Sequence, residues 1–186
     1  MSESGLTADD QGLNYQGMKS SLCPKFEKLE QLARSIPGLD RDAVSACVPL
    51  LYFYREFDAA LEQHYQAYGL SRGRWQVLMA LYKSSSEEGL TPAELADWAG
   101  VTRAAMTGLV DGLVDSGFVT REDVDADRRT YRVRLTPRAS DFLASVLPDH
   151  LRRMQDLMHA LTPAERDTFV DLIEKLRGRV DVFRHD

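Results

Sequence analysis

Cysteine is scarce in this sequence, and the residues that usually hold metal ions are scattered. The two cysteines, Cys23 and Cys47, form no CxxC pair and have no histidine nearby at ligand spacing. Two of the four histidines, His150 and His159, are nine residues apart, so they do not share a helix face as paired metal ligands do. We therefore expect reduced thiols, no disulfide framework, no metal and no cofactor.

Long apolar runs are absent as well. No stretch approaches the roughly 18 apolar residues of a membrane-spanning helix. The first residues, MSESGLTADDQG, are acidic and polar, where a secretory signal would be basic and then apolar. We expect a soluble, cytoplasmic protein with no membrane partner. The sequence also contains no Gly-rich phosphate loop, paired-carboxylate motif or recognisable nucleophile, so we do not expect an enzyme.

Positive charge is not in excess over the whole chain. The formal net charge is −6, which argues against a nonspecific nucleic-acid coat, because phosphate binding requires cations. One segment differs from the rest, since it contains five arginines and no acidic residue: Arg128, Arg129, Arg132, Arg134 and Arg138. We call these five residues the basic strip. It is the part of the sequence where contact with DNA is predicted.

The N-terminal third combines a polar tail with two helical patterns. Residues 1–20 have no apolar periodicity and are predicted to form a flexible tail. Apolar residues then recur at helical spacing over residues 24–36, until Pro37 and Gly38 end the pattern. A long helix is predicted over residues 40–68, ending at Gly69, with Asp58 interrupting an otherwise apolar stripe of Cys47, Leu51, Tyr54, Leu61, Tyr65 and Tyr68.

Three further helices are predicted before residue 117. Ser71 can cap the first, whose predicted buried face comprises Trp75, Leu78, Met79 and Tyr82. The segment Thr91-Pro-Ala-Glu94 is a capping box with proline at the first helical position, and it begins a short helix that ends at Gly100. Thr102 can cap the next helix, which ends at Gly117 and turns inward Met106, Leu109, Val110, Leu113 and Val114. Two compact helices in this order predict a helix-turn-helix.

A β-hairpin and two more helices complete the pattern. Residues 118–121 and 131–135 are rich in strand formers, and the polar segment EDVDADRRT separates them, which predicts a wing. Thr136 and Pro137 begin a helix that extends to about residue 161. A second capping box, Thr162-Pro-Ala-Glu165, begins a last helix whose apolar residues are Phe169, Leu172, Ile173, Leu176 and Val180.

This order of elements resembles the MarR family of transcriptional regulators. The residues that carry the resemblance are LTPAELADWAGVTRAAMTGLVDGLVDSGFV, from Leu90 to Val119, and DADRRTYRVRLTPRA, from Asp125 to Ala139. The resemblance implies a mainly α-helical winged helix-turn-helix. The DNA-binding region would comprise residues 71–136, and residues 40–68 and 137–186 would form a helical dimerisation region. It further implies a homodimeric repressor that binds a pseudo-palindromic operator and that a small-molecule effector releases.

Two groups of residues are the candidate DNA contacts. A recognition helix needs one face of short or hydrogen-bonding side chains that can approach base edges in the major groove. Thr102, Arg103, Ala104 and Thr107 supply such a face here, although proteins of this family often carry Ser or Thr at positions 104 and 105. In the wing, the resemblance implies that Asp127 orients Arg129 toward the minor groove, with Arg128 as the neighbouring candidate.

The resemblance also implies an effector site between the long helix and the DNA-binding region. The candidate residues for an aromatic or anionic effector are Tyr54, His64, Arg72 and Trp75. In the urate-responsive branch of the family an acidic residue follows the tryptophan, and Gln76 stands there in this chain. We therefore do not assign urate.

Cys47 provides an alternative signal. Its place near the start of the long helix resembles that of the reactive cysteine in the peroxide-sensing branch. That branch also has tyrosines that bond the thiolate, and the matching positions here hold Leu61 and Arg72. A redox-sensing regulator therefore stands beside the simpler interpretation of Cys47 as a small buried hydrophobe. Two further interpretations of the whole chain are a winged helix that binds protein without DNA and an enzyme accessory subunit.

Overall fold

A computed structural model describes residues 31–33, 35–84, 86, 88–123 and 131–184. The elements, in chain order, are α1 (Arg41–Ala67), α2 (Arg72–Lys83), α3 (Pro92–Ala99), α4 (Arg103–Asp115), β1 (Val119–Asp123), β2 (Tyr131–Leu135), α5 (Pro137–Met158), α6 (Pro163–Arg177) and a 3₁₀ turn (Val180–Phe183). A mainly helical chain with one antiparallel hairpin confirms the predicted fold class. No helix within the described ranges is long and apolar enough to cross a membrane.

The chain divides into two compact units, one ending at Ala59 and the other beginning at Ala60. In the first unit, residues 31–33 and 35 are helical, while the predicted tail and the start of the predicted helix over residues 24–36 lie outside the described residues. The first part of α1 follows, and its large apolar side chains are exposed: Leu50, Leu51, Phe53 and Tyr54. Phe53 and Phe57 stack with their ring centroids 5.6 Å apart.

The second unit holds the hydrophobic core. Every element from the end of α1 to α5 contributes a buried side chain: Tyr65, Leu78, Leu95, Met106, Val119, Val133 and Leu143. Five of these seven are fully buried, and Tyr65 and Val119 keep only 6% and 2% of their surface exposed. The core therefore lies where α2, α3 and α4 meet the hairpin, and it fixes the helix-turn-helix against the wing.

Local sequence signals set the helix boundaries. In the capping box of α3, Thr91 Oγ1 accepts a hydrogen bond from the Glu94 amide at 3.3 Å, and the Glu94 carboxylate accepts one from the Thr91 amide at 2.7 Å. Gly100 ends α3 with φ at +64°, a left-handed conformation that glycine adopts without a steric penalty. The α4 cap is also confirmed, because Thr102 Oγ1 accepts from the Ala105 amide at 3.2 Å.

The hairpin is longer than predicted and has an additional backbone partner. β1 extends to Asp123, where it pairs with Tyr131, while Val119 pairs with Leu135 at the other end. Leu90 forms an isolated bridge to Val133, with N–O distances of 3.1 and 2.8 Å. The sequence did not predict this bridge, which joins the residues just before α3 to the middle of β2.

Several predicted buried positions are wrong in detail. Tyr82 is 52% exposed and Met79 is half-buried. Because α2 contacts α3, α4 and the hairpin, it buries two sides, and the additional buried residues are Val77, Ala80 and Leu81. Val114 is also exposed, and Val180 lies in the 3₁₀ turn rather than in the last helix.

Candidate nucleic-acid interface

Helix α4 has two sharply different faces. Met106, Val110 and Leu113 have no exposed surface and point into the core. On the other side, the four predicted DNA contacts in this helix are all exposed: Thr102, Arg103, Ala104 and Thr107. The structure thus brings these four residues together on one solvent-facing surface at the start of α4, which we call the recognition face.

The hydroxyl groups of the recognition face already make hydrogen bonds within the helix. Thr102 Oγ1 accepts the capping bond described above, and Thr107 Oγ1 donates to the carbonyl oxygen of Arg103 at 3.1 Å. While that second bond is made, the Thr107 hydroxyl can offer an external group only its lone pairs. Base amino groups, such as N6 of adenine and N4 of cytosine, are donors of the matching kind.

An arginine that sequence reasoning missed connects the wing to α4. Arg121 on β1 forms an ion pair with Asp111 on the exposed side of α4. Its guanidinium also lies over the ring of Tyr131 on β2, 4.8 Å from the centroid. We call these three residues the helix–wing brace. These contacts join both strands of the hairpin to α4.

The basic strip is less basic in space than along the chain. Arg132 donates to the Gly89 carbonyl oxygen at 3.1 Å and lies 3.5 Å from the Glu88 carboxylate. Arg134 forms an ion pair with Glu122 across the hairpin at 2.9 Å. Carboxylates outside the basic strip therefore offset these two charges.

The structure describes one of the three remaining arginines of the basic strip. Arg138 lies over the Phe118 ring, with its guanidinium carbon 5.2 Å from the centroid. The wing candidates Asp127, Arg128 and Arg129 lie outside the described residues. Their assignment stays a prediction from sequence.

The four candidate effector residues do not share one environment. Tyr54 belongs to the first unit and is 57% exposed. In the second unit Trp75 is 4% exposed and stacks on Tyr65 at 5.0 Å, so the indole is part of the core. The Arg72 amide donates to the Glu62 carboxylate at 3.1 Å, and His64 is half-buried.

A cavity of about 380 Å³ lies elsewhere, beside the hairpin and the segment after α2. Its lining residues include none of the candidate effector residues: Leu81, Ser86, Gly89, Thr120, Glu122, Arg134 and Leu135. The other predicted sensor, Cys47, is a free and exposed cysteine in the first unit.

Sequence reasoning also missed a contact between two histidines. His64 on α1 and His150 on α5 are 86 residues apart, yet Nε2 of His64 lies 3.2 Å from Nδ1 of His150. Burial lowers the pKa of both imidazoles. A signal was present, because His150 is seven residues after the buried Leu143 and therefore on the inward stripe of α5. Among the described residues, no three potential metal ligands come together.

Close beside this pair, Tyr68 and Arg153 hold the Asp149 carboxylate. The Tyr68 hydroxyl donates to Asp149 Oδ2 at 2.9 Å, and Arg153 Nε donates to the same oxygen at 2.8 Å. Burial, followed by the bond to Asp149, raises the pKa of Tyr68 to about 12. Tyr68 therefore stays neutral across the physiological range.

Comparison with known proteins identifies the family of this helix-turn-helix and wing. A model of the MarR family matches residues 68–130. The HTH-type transcriptional repressor YetL of Bacillus subtilis (strain 168) is 30% identical over 161 residues, which cover 87% of this chain and 96% of YetL. The similarity thus extends well beyond the helix-turn-helix into the flanking helices.

Solved structures show the same fold. AbsC, a MarR family transcriptional regulator from Streptomyces coelicolor, superposes with a TM-score of 0.65 at 22% identity, over 77% of this chain and 99% of AbsC. Bordetella bronchiseptica BpsR, whose DNA binding is regulated by 6-hydroxynicotinic acid, gives 0.60 at 23% identity, over 69% and 95% of the two chains. Because YetL matches nearly end to end and the fold agrees, the chain belongs to the MarR family of transcriptional regulators.

Proposed function

We propose that this regulator is a repressor that binds a pseudo-palindromic DNA operator as a homodimer and is released by a small-molecule effector. The observation that carries the proposal is the two-faced α4, where an exposed recognition face lies opposite three fully buried residues. Because the opposite face of α4 is packed into the core, the helix can enter a major groove without losing its packing against the rest of the protein. We expect the protein to act in the cytoplasm.

In this proposal the two DNA-contacting parts have different roles. Arg103 and Thr107 of the recognition face read base edges, and Thr102 and Ala104 allow close approach to the groove. Arg129, oriented by Asp127, enters the minor groove, where the negative potential attracts a guanidinium, and Arg128 contacts the backbone beside it. The ion pairs of Arg132 and Arg134 support this division, because those residues already have carboxylate partners inside the protein.

Exposed apolar surface supports the homodimer. Helix α6 has no buried residue, although it carries a row of large apolar side chains. The exposed residues of α5, α6 and the 3₁₀ turn include Leu151, Met154, Leu157, Val170, Leu172, Leu176, Val182 and Phe183. This exposure argues against terminal stripes that only complete the core of a single chain. In this proposal residues 40–68 and 137–186 form the dimerisation region, whose exposed apolar side chains make the interface, and residues 71–136 bind DNA.

The proposed effector is an aromatic or anionic small molecule. His64, Arg72 and Trp75 lie near the end of α1 and the start of α2, and Tyr54 lies earlier on α1. A cation and aromatic rings of this kind suit an aromatic or anionic compound. BpsR, a neighbour in fold, responds to an aromatic acid, which supports this class of effector.

Redox sensing through Cys47 is the second candidate, because the thiol is exposed and free. The measurement is operator affinity before and after peroxide treatment, in the wild type and in Cys47→Ser. A loss of operator affinity after peroxide treatment in the wild type alone would favour redox sensing. Equal behaviour of the two proteins would exclude it.

Selection of bound duplexes from a random pool at low salt tests DNA binding directly. We expect enrichment of an inverted repeat with half-sites about one helical turn apart. Arg103→Ala should weaken binding of the selected duplex, whereas Arg152→Ala, which removes an exposed arginine from α5, should not. If no duplex is enriched, the proposed DNA binding fails. If the two variants lose affinity equally, the recognition face has no specific role in binding the duplex.

A further inference from the structure

The contact between His64 and His150 is edge to edge. Their ring planes lie within 17° of each other, with centroids 5.3 Å apart and the facing nitrogens 3.2 Å apart. The distance between the centroids exceeds the distance between the facing nitrogens by almost the sum of the two centroid-to-nitrogen distances within the rings. Each facing nitrogen therefore points at the other. At this distance a hydrogen bond between the two neutral rings requires one imidazole to donate and the other to accept.

Aromatic rings from α1, from the turn that follows it and from α2 surround this pair. Trp75 on α2 packs against the His150 ring at a centroid distance of 4.8 Å, and Tyr68, just after α1, meets His64 at 4.7 Å. Tyr65 lies 5.9 Å from each imidazole. His150 itself is 8% exposed, and it is the buried polar side chain of the described core. The pair thus connects α1 to α5 at the point where α2 packs against both.

Charged groups around the pair do not favour two imidazolium ions. On α5, Asp149 favours protonation of both imidazoles, but Tyr68 and Arg153 already bond its carboxylate, and Arg153 opposes a charge on His64. From α2, Lys83 opposes a charge on His150. On α1, Glu62 bonds the Arg72 amide. The neighbouring tyrosines, Tyr65 and Tyr68, are neutral, because burial raises the pKa of each.

Proton counting shows what acid does to the contact. A first added proton goes to the outer nitrogen of the donating ring, and the N–H···N bond is kept and strengthened by the charge. A second proton must go to the accepting nitrogen. Two N–H groups would then face each other across 3.2 Å, and two cations would share one buried site. The contact cannot persist in that state.

We propose that the His64–His150 pair is an acid-sensitive switch, in which uptake of a second proton separates α1 from α5 and lowers the affinity of the protein for its operator. The separation of the helices stands on the geometry of the pair alone. Only its consequence for DNA rests on the proposed function.

The direction of the pH effect follows from the pKa values. Both imidazoles have a pKa below the ordinary 6.5, chiefly because burial disfavours the charged form. The contribution of the pair is therefore complete above pH 6.5, and it is lost as the pH falls, because the open or unfolded chain binds protons more readily. General electrostatics act in the opposite direction, since added positive charge strengthens binding to phosphates. A fall in DNA affinity on acidification therefore identifies a specific switch.

Trp75 reports on the pair directly. The sequence has two tryptophans, and Trp98 is half-exposed, so Trp98→Phe leaves Trp75 as a single fluorophore beside His150. Because a protonated imidazole quenches a neighbouring indole, the Trp75 emission should change between pH 8 and pH 5 with a midpoint below 6.5. His64→Gln and His150→Gln should alter or abolish this transition. His159→Gln, which replaces an exposed histidine at the end of the same helix, should leave it unchanged.

The second measurement compares affinity for the selected duplex at pH 7.5 and pH 5.5. The wild type and His159→Gln should bind more weakly at pH 5.5, by up to about tenfold per pH unit for each proton taken up. His64→Gln should lose this dependence while keeping a near-wild-type thermal midpoint at pH 7.5. If His150→Gln does not fold, His64→Gln still tests the proposal, because the His64 side chain is only half-buried.

Three results would overturn the proposal in different places. A Trp75 emission that does not change with pH, or changes equally in His64→Gln, would show that the pair does not open. A normal transition with pH-independent operator affinity would show that opening does not reach the DNA-binding surface. If no duplex is bound even at pH 7.5, the proposed function fails, and the fluorescence transition still decides the behaviour of the pair by itself.

Discussion

The DNA contacts that we propose for Arg129 and Thr107 differ in kind, because one side chain carries a charge and the other does not. A cation on a phosphate or in the minor groove contributes to affinity through counterion release, which depends on salt. A neutral hydroxyl on a base edge contributes to the choice between sequences. Single substitutions at these two positions therefore give different signatures.

Arg129→Ala should weaken operator binding and flatten the dependence of log affinity on log salt concentration. The reduction in slope should reach up to about two units, one for each subunit of the dimer. Fluorescence anisotropy at several salt concentrations measures it. Arg152→Ala on α5 is the matched control, and its slope should equal that of the wild type. Unchanged affinity and slope in Arg129→Ala would mean that the wing does not dock on DNA.

Thr107→Ala should leave the salt slope nearly unchanged and reduce discrimination between the operator and random DNA. Loss of a base contact costs about 1–3 kcal/mol at most. Thr168→Ala is a close control, because Thr168 Oγ1 donates to the Ala164 carbonyl oxygen at 3.0 Å, the same intrahelical bond in α6. Competition binding with random duplex measures the effect. Equal discrimination in the two variants would remove Thr107 from the set of base-reading residues.

At the scale of elements, the two capping boxes form a natural matched pair. Both have the sequence Thr-Pro-Ala-Glu, and both make the same reciprocal hydrogen bonds with nearly identical distances. Helix α3 packs Leu95 and Ala96 into the core, whereas α6 has no buried residue. The same local interaction therefore caps two helices that lie in very different surroundings.

Thr91→Ala should lower the free energy of unfolding by about 1 kcal/mol, because it removes the cap from a helix that unfolds with the core. Thr162→Ala should act mainly on assembly, since its helix contacts little of its own chain. Chemical denaturation and sedimentation of both variants separate the two effects. If Thr162→Ala changes core stability as much as Thr91→Ala and leaves assembly unaltered, α6 belongs to the intramolecular core.

How far the elements could be predicted depends on the distance in sequence between interacting groups. The helix starts at Ser71, Thr91, Thr102 and Thr162 were predictable because a side chain and an amide three residues away satisfy each other. The hairpin was predictable from strand formers on either side of a polar loop, although β1 ends two residues later than predicted. The recognition face followed from helical periodicity alone.

Contacts between distant residues were not predictable. The Leu90–Val133 bridge, the helix–wing brace and the His64–His150 contact each join segments whose meeting depends on the complete fold. Periodicity placed Tyr82 inside, although it is exposed near the C-terminal end of α2. Periodicity also considers one buried stripe, so it missed Val77, Ala80 and Leu81 on a helix that contacts α3, α4 and the hairpin. The carboxylate partners of Arg132 and Arg134 were also missed, because Glu88 and Glu122 lie far from them along the chain.

At the scale of the whole molecule, deletion of residues 163–186 should convert the dimer into a monomer. The truncation removes exposed apolar side chains that we assign to the interface, including Leu172, Ile173 and Leu176. Light scattering at micromolar concentration measures the mass. A full-length protein that is monomeric under these conditions would contradict the dimer and the spacing of operator half-sites with it.

A point variant guards against a truncation that fails to fold. Leu176→Glu places a charge on the proposed interface without removing the helix, and it should weaken self-association. Lys175→Glu, one residue earlier on the same helix, introduces the same acidic side chain and reverses a charge at an exposed polar position. Dissociation in both variants alike would point to charge rather than to loss of an apolar contact.

Helix α6 begins with its own capping box, yet it spans only 15 residues and buries none of them within its chain. Isolated helices of about that length are marginal in water, so the local cap alone leaves α6 close to melting. In the proposed dimer the partner supplies the missing contacts, which makes the folding of this segment depend on protein concentration. Dilution should therefore lower the thermal midpoint and speed amide hydrogen exchange in α6 before it affects α3 or α4. The abundance of the protein would then set how much of it is in a form able to span both half-sites.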